Sequence, residues 1–309
     1  MIENQGRILV TGANGHLGRR LLARLASTGR TARALVRSES AAQKLRRLPC
    51  ANAFEIQIAD YSDRDSLAAA AEGCSCIVHL VGILKETRST RYADAHERTA
   101  EALADAAARA GAKRIVYLSI LGSRAEDANA CLSSKGRAEQ ILLRGKVPVT
   151  VLQVPMVLGP GDIAANALRG QALAPFVLLA GGGATLEQPI DAEDVVSAIL
   201  AAAENPGLAG QVLALAGPEP LSHRELVTRA AALYGRLPRV LPVPLVAAEL
   251  LAALFERAFA NPPLTRAMLG VLQHDDQIDP GPACTRLGIT LTPLEATLRR
   301  CVGPDAETA

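Results

Sequence analysis

Three glycines spaced three apart, Gly12, Gly15 and Gly18, stand between a short apolar run, Arg7-Ile-Leu-Val-Thr11, and an apolar-periodic stretch that opens Leu17-Gly-Arg-Arg-Leu21-Leu22. A strand, a glycine loop and a helix in that order make a phosphate cradle. Gly12 can turn sharply, Gly15 lets the backbone approach a pyrophosphate with no Cβ in the way, and Gly18 lets the helix pack closely on the strand. The free amides and the positive dipole end of the helix then face the negative charge of a dinucleotide. Asn14, His16 and Leu17 fall in the same turn and are expected to touch the cofactor with the glycines. No Gly-Lys-Ser/Thr follows, which excludes an ATP-type P-loop.

The next apolar run ends Ala34-Leu-Val-Arg37-Ser38, where the ribose of the adenosine half would lie. An acid at that point accepts bonds from a free 2′-hydroxyl. Arg37 instead offers a planar guanidinium suited to a 2′-phosphate, so NADP(H) is expected ahead of NAD(H). The plainer reading of Arg37 is a solvated pair with Glu39. Asp60, with Tyr61 beside it at the end of the third run, is placed for the adenine amino group. Its rival role is helix capping, although Ser62 followed by Asp65 also supplies a cap.

These groups can meet only if the apolar runs form one sheet. The expected strands are Arg7–Val10, Thr31–Val36, Phe54–Ile58, Cys76–Leu80, Arg114–Leu118, Val147–Gln153 and Val212–Ala216, with helices near Leu17–Ala26, Ala41–Leu48, Ser66–Ala71, Arg91–Ala110 and Ser133–Leu143. The alternation predicts an α/β fold with a Rossmann-type, doubly wound parallel sheet. After Pro155 it breaks down into a Gly- and Pro-marked region. The expected division is therefore 1–158 with 188–216 as the dinucleotide-binding domain, and 159–187 with 217–309 as a smaller, mostly helical substrate or partner lobe. Within that lobe Leu241–Ala260 is apolar but carries Glu249, Glu256, Arg257 and two prolines, which rules out a bilayer span. Packing within the lobe is the expectation for it, with a membrane-surface or partner-binding helix as the alternative.

Composition narrows the classes further. A chain of 309 residues can bury a sizeable core in two lobes. A net charge of +2 with scattered cations leaves no footprint for nucleic acid, and the absence of Trp removes a usual base-stacking platform. Six cysteines (Cys50, Cys74, Cys76, Cys131, Cys284, Cys301) lack metal-ligand spacing, so no metal is expected and a reduced, buried role is. The first strand begins within seven residues of the start, without a basic-then-apolar leader, and a cytoplasmic location is expected.

Taken together, the motifs resemble the atypical extended short-chain dehydrogenase/reductases along nearly the whole chain. Thr11 to Gly18 is similar to that family's TGxxGxxG loop, and His79-Leu80-Val81-Gly82 resembles the fourth-strand segment that lines the cofactor. Ser119, in Tyr117-Leu-Ser-Ile, resembles the catalytic serine at the end of strand five. Val154-Pro155-Met-Val-Leu-Gly-Pro-Gly-Asp162 is similar to the extended members' Arg-Pro-Gly-x-Val-x-Gly-Pro-Gly-Asp, and Gln188-Pro-Ile-Asp-Ala-Glu-Asp-Val195 resembles the segment that returns the chain to the sheet. Within the family, Tyr92-Ala-Asp-Ala-His96, Pro262-Pro-Leu-Thr265, Asp275-Asp276 and Leu287-Gly-Ile289 resemble the branch containing the NADPH-binding accessory subunit of respiratory complex I and bacterial nucleoside-diphosphate-sugar epimerase-like proteins. The resemblance implies further cofactor contacts at Leu80, Val81, Gly82, Lys135 and Pro155.

One position departs from the pattern. The family's proton-transfer pair is a Tyr and a Lys four apart on one helix face, the Lys lowering the phenol's pKa. Here the segment reads Ala130-Cys131-Leu-Ser-Ser-Lys135, so the Lys is kept and the Tyr has become Cys. A thiol is shorter than a phenol, and acidification by Lys135 from about 8.5 downwards does not restore the reach. The implied catalytic set is then Ser119, Lys135, Cys131 and His96, the last sharing a helix face with Tyr92. Lys135 has a second implied duty, holding the nicotinamide ribose hydroxyls.

Two functions follow from these residues. One is an NADP(H)-dependent oxidoreductase or epimerase-like enzyme with a degenerate Tyr-Lys pair, acting on an unidentified small molecule. The other is a non-catalytic NADPH-binding accessory or regulatory protein that works through a partner such as a respiratory complex. Arg169, His223, Arg224 and Arg266 are the substrate candidates in the second lobe, and Gln153 stands where extended enzymes commonly carry Arg, which weakens a sugar-nucleotide reading.

Overall fold

The computed structural model describes residues 6 to 307, which fall into two units. The first takes the chain up to Leu84, Thr90–Gln153 and Val196–Leu213; the second takes Lys85–Ser89, Val154–Val195 and the chain from Ala214 onward.

The first unit is built on a seven-stranded sheet. Its strands β1 (Arg7–Thr11), β2 (Ala32–Val36), β3 (Phe54–Ile58), β4 (Cys74–His79), β5 (Arg114–Ile120) and β6 (Val149–Val154) are joined by the short strand Val212–Ala214. The order across the sheet is Val212–Ala214, β6, β5, β4, β1, β2, β3. The pairs β3–β2, β2–β1, β1–β4 and β4–β5 are all parallel. A parallel sheet covered on both faces needs strands that are apolar throughout. β2 is buried at every residue and apolar at all but Arg33, whose guanidinium pairs with Glu55 and donates to the Ala70 carbonyl (2.6 Å). The covering helices include α1 (His16–Ser27), α2 (Glu39–Arg46), α3 (Arg64–Ala71), α4 (Thr99–Arg109) and α5 (Ala130–Leu143). Leu9, Leu35, Ile77, Ile115 and Val151 from the strands pack with Leu67, Leu103 and Leu142 from the helices in one core.

This order creates the site. The chain runs outward from β1 through β2 to β3, then returns to place β4 on the other side of β1. The crevice beyond the carboxyl ends of β1 and β4 is the switch point at which open α/β sheets bind ligands.

Several local expectations are revised. α2 begins at Glu39 because the Ser38 side chain accepts from the Ala41 N–H, and α3 is capped by Asp63, which accepts from the Asp65 N–H, not by Ser62. The helix expected over Arg91–Ala110 opens as a π-helical turn, Ala93–Arg98, before α4. α5 starts three residues earlier than predicted, at Ala130, because Asn129 accepts from both the Cys131 and Leu132 N–H groups. All six cysteines are free, but Cys50 and Cys284 are only half-buried.

The second unit holds α6 (Ile163–Leu173), α8 (His223–Ala232), α9 (Leu245–Ala258), α10 (Arg266–Leu272), α11 (Gly281–Leu287) and α12 (Leu294–Val302), while α7 (Ala192–Glu204) runs out of it into the first. It also contains a parallel two-stranded ribbon, Phe176–Ala180 with Arg239–Val243. Asp191 and Asp194 fasten its C-terminal end. Asp191 accepts from Thr297 (2.8 Å) and pairs with Arg300, and Asp194 accepts from the Thr292 N–H (2.7 Å) and hydroxyl (2.8 Å).

Candidate functional site

Gly12 leaves β1 in the left-handed region, with φ at 71°. A Cβ there would lie 3.1 Å from the Leu80 carbonyl carbon and 3.2 Å from the Val81 nitrogen, so the glycine seats the loop directly against the peptide that follows β4. Its N–H is donated to the Tyr61 hydroxyl (3.0 Å), which itself donates to the Leu35 carbonyl (2.8 Å). Burial pushes the Tyr61 phenol up to about 12. Tyr61 is therefore an internal brace for the loop. Gly15 caps α1 with no side-chain bond to its first amides, and it is exposed. Gly18 is tighter still. A Cβ there would come within 2.6 Å of the Ala13 carbonyl oxygen and 2.7 Å of that of Gly12, so its nearest neighbours are the loop's own backbone. Asn14, His16 and Leu17 line the same turn half-buried, and the His16 ring accepts from Arg20 Nε (2.9 Å).

At the tip of β2, Arg37 is exposed and makes no hydrogen bond or ion pair among the described residues. The pairing with Glu39 considered for it does not form, because Glu39 turns to Arg46 along α2. Arg37 is near enough to Asp60 and Tyr61 to favour the charged form of each. Asp60 accepts from the Ser62 N–H (2.9 Å) and hydroxyl (2.8 Å), and these bonds hold its carboxyl below the usual range.

The inner end of the site centres on Lys135. Its Nζ donates to the Tyr117 hydroxyl (3.0 Å) and the Leu118 carbonyl (2.9 Å), and sits 4.5 Å from the Tyr117 ring centroid. Burial pulls its pKa down to about 8, while desolvation drives Tyr117 well above the ordinary phenol value. Sequence reasoning gave Tyr117 no role beyond core packing. Thr11 and His79 stood in the motifs read from the sequence, but their contact with each other and with Tyr117 was not foreseen. The sheet register sets Thr11 opposite His79 and His79 opposite Tyr117. As a result Thr11 Oγ1 meets His79 Nδ1 at 2.7 Å, and the His79 ring stacks on Tyr117 at 5.5 Å. The one readable signal was the spacing of Tyr117 and Ser119, two apart on one strand face.

Gly82 is exposed beside this group. A Cβ on it would meet Lys135 Nζ at 3.0 Å and His96 Nε2 at 3.5 Å. The next residue, Ile83, has both backbone groups taken by side chains: its N–H donates to His96 Nε2 (3.0 Å), and its carbonyl accepts from Cys131 Sγ (3.7 Å). Tyr92 stacks on His96 at 5.6 Å and donates to the Leu84 carbonyl (2.9 Å). An imidazole that accepts through Nε2 carries its proton on Nδ1. Burial and the Lys135 charge pull His96 down to about 3, so it stays neutral. His96 and Cys131 thus position the segment after β4, and the Nδ1 proton of the neutral His96 is buried without a hydrogen-bond partner among the described residues. Ser119 lies inside β5, with its buried Oγ making no hydrogen bond of good geometry among the described residues.

In the second unit, Pro155 is buried, and the four substrate candidates are engaged within the fold. Arg169 donates to Tyr234 (3.0 Å), His223 meets Glu187 (2.6 Å), Arg224 donates to the Gly182 carbonyl (3.1 Å) and Arg266 pairs with Glu256 (3.0 Å). Gln153, in the first unit, donates to Glu139 (3.0 Å), whose carboxyl is raised by burial.

Residues 12–206 match the model of a family described as NAD(P)H-binding. The chain is 29% identical over 251 residues to the mitochondrial NADH dehydrogenase [ubiquinone] 1 alpha subcomplex subunit 9 of Arabidopsis thaliana, covering 79% of this chain but 62% of that protein. It thus spans about three-fifths of that relative's length. It is 27% identical over 242 residues to a ceramide reductase of Caulobacter vibrioides, covering 78% of this chain and 75% of the relative. The fold is shared with MoeE5, solved with UDP-glucose and NAD, at a TM-score of 0.72 and 21% identity over 96% of this chain and 97% of the other.

Proposed function

The chain belongs to the NAD(P)H-binding family, and from that premise we propose that it holds NADP(H) in preference to NAD(H) as a nucleotide-binding protein of reductase type whose proton-donor position is closed. The residues suit the nucleotide. Gly12 brings the loop against β4, Gly15 is exposed at uncapped helix amides, and Gly82 is exposed beside Lys135. Arg37 stands ready for a 2′-phosphate, Gly12–Gly18 for the pyrophosphate and Lys135 for the nicotinamide ribose. When bound, the nucleotide supplies a hydride; the protein's own residues orient it.

The observation that carries the closed position is at Ile83. The two side chains that could have replaced the missing phenol, Cys131 and His96, are spent on its carbonyl and N–H. Mixing the protein with NADPH and a panel of carbonyl compounds is expected to give negligible oxidation of NADPH, with saturable binding in the same samples. Robust turnover lost on Cys131→Ala would overturn this reading.

One observation favours a second reading, that of an NADP(H)-dependent oxidoreductase. Lys135, at about 8, is a proton donor matched to neutral pH and touches a tyrosine, Tyr117, on the neighbouring strand. Its signature is turnover that Lys135→Met abolishes and Cys131→Ala leaves intact.

The cofactor preference has its own test. Charge-assisted bonds contribute roughly 1.5–3 kcal/mol each, so Arg37→Ala should weaken NADP(H) by about tenfold or more and leave NAD(H) unchanged. Equal calorimetric affinities of the wild type for both nucleotides would count decisively against the preference.

A further inference from the structure

Helix α9 is apolar on its outward side. Its buried positions are only Ala248 and Ala252, while Val246 (67% exposed), Leu250 (68%) and Leu254 (60%) form an i, i+4, i+8 ridge facing solvent, with Leu251 beside it. That reverses the usual amphipathic arrangement. The packing within the lobe expected for this stretch is present through Ala248 and Ala252 and through the pairing of Leu241–Val243 with Leu178–Ala180, but most of the apolar side chains of α9 lie outside it. The ribbon that leads directly to α9 exposes apolar side chains as well. Pairing Phe176 with Arg239 and Leu178 with Leu241 puts exposed Phe176, Leu178 and Leu241 on one face. Gly181, at the end of the ribbon, lies against Leu245 of α9. Soluble surfaces scatter large apolar side chains singly, and a contiguous group of this kind marks a binding face.

We propose that this face seats the protein on the surface of an anionic lipid bilayer. The charges select that occupant. Arg239, in the ribbon face, and Arg257, one turn beyond Leu254, are exposed and have no ion-pair partner among the described residues. The acids of α9, Glu249 and Glu256, share its other flank, and Glu256 is held by Arg266. Apolar side chains next to unpaired arginines allow the apolar groups to enter the acyl boundary while the guanidinium heads reach lipid phosphates. At 14 residues α9 is about 21 Å long, too short to cross a hydrocarbon core of roughly 30 Å, so it lies in the plane of the interface. This surface belongs to the second unit and does not depend on the nucleotide reading.

Flotation with phosphatidylcholine vesicles, with and without phosphatidylglycerol, tests it. The wild type should float with the anionic vesicles and much less with phosphatidylcholine alone. The double variant Leu250→Asp, Leu254→Asp should bind at least about tenfold more weakly, while its far-ultraviolet dichroism and NADPH titration stay as in the wild type. Arg239→Gln with Arg257→Gln should erase the preference for phosphatidylglycerol. A wild type that does not float with anionic vesicles at low salt overturns the proposal, as does flotation that the two aspartates leave unchanged. A dimer that these aspartates disperse, without vesicle binding, would assign the face to a second copy of the chain instead. Cofactor affinity is read separately, so loss of either result leaves the other standing.

Discussion

Gly18→Val is expected to abolish saturable NAD(P)H binding, a loss of at least about a hundredfold in affinity, or roughly 3 kcal/mol. The cause is steric and lies in backbone. Even a Cβ at this position falls 2.6 Å from the Ala13 carbonyl oxygen and 2.8 Å from its carbon, and neither atom can rotate away. Either α1 tilts or the loop shifts, and both displace the amides that would meet the pyrophosphate. Gly15 provides the contrast. A Cβ there meets only the Gly12 carbonyl oxygen, at 3.1 Å, and faces solvent. A bulky residue at 15 should therefore leave the melting temperature almost unchanged while blocking the nucleotide, whereas Gly18→Val should lower both stability and affinity. Calorimetric titration alongside thermal unfolding separates the two, and a Gly18→Val protein that binds NADPH like the wild type would refute this account of the loop.

Lys135→Met should make stability less dependent on pH while removing the ammonium at the inner end of the site. Burial lowers the folded-state pKa of Lys135 from 10.5 to about 8. Between those values the unfolded chain binds more protons than the folded one, so the lysine's contribution to stability rises with pH from about 8 to 10.5 and is least favourable below pH 8. The shift corresponds to about 3 kcal/mol across that window. Denaturant unfolding of the two proteins at a series of pH values should show the wild type gaining on the variant as pH rises through it. A constant difference would mean that Lys135 is not buried as an ammonium. The variant also leaves the Tyr117 hydroxyl and the Leu118 carbonyl without their donor, which sets the size of the offset but not its slope. In the same variant NADPH should bind more weakly, since Lys135 is the group proposed to hold the nicotinamide ribose.

The strand, glycine loop and helix were legible from the chain alone because they are local. Strand, loop and helix are contiguous from Arg7 to Ser27, glycine spacing reports directly on backbone geometry, and each apolar run became a strand of one sheet. The identity of residue 131 was equally plain, since Cys131 and Lys135 lie four apart on α5. What those residues touch was not legible. Thr11, His79 and Tyr117 come from three strands, and only the register of β1 on β4 and of β4 on β5 brings them side by side. Register is a long-range pairing choice, whereas spacing along the chain constrains nearest neighbours only. The same holds for Ile83, whose two backbone groups are claimed by side chains 13 and 48 residues away. Leu241–Ala260 shows the converse. Its apolar content was evident, but hydropathy cannot tell a face that is buried from one that awaits a partner, because burial depends on what the rest of the chain packs against it. The sequence by itself therefore determined the fold class, the glycine loop and the missing phenol. Tertiary structure alone decided that His96 and Cys131 position a loop, that Tyr117 is the tyrosine meeting Lys135, and that α9 turns its leucines outward, since each of these follows from contacts between segments far apart in the chain.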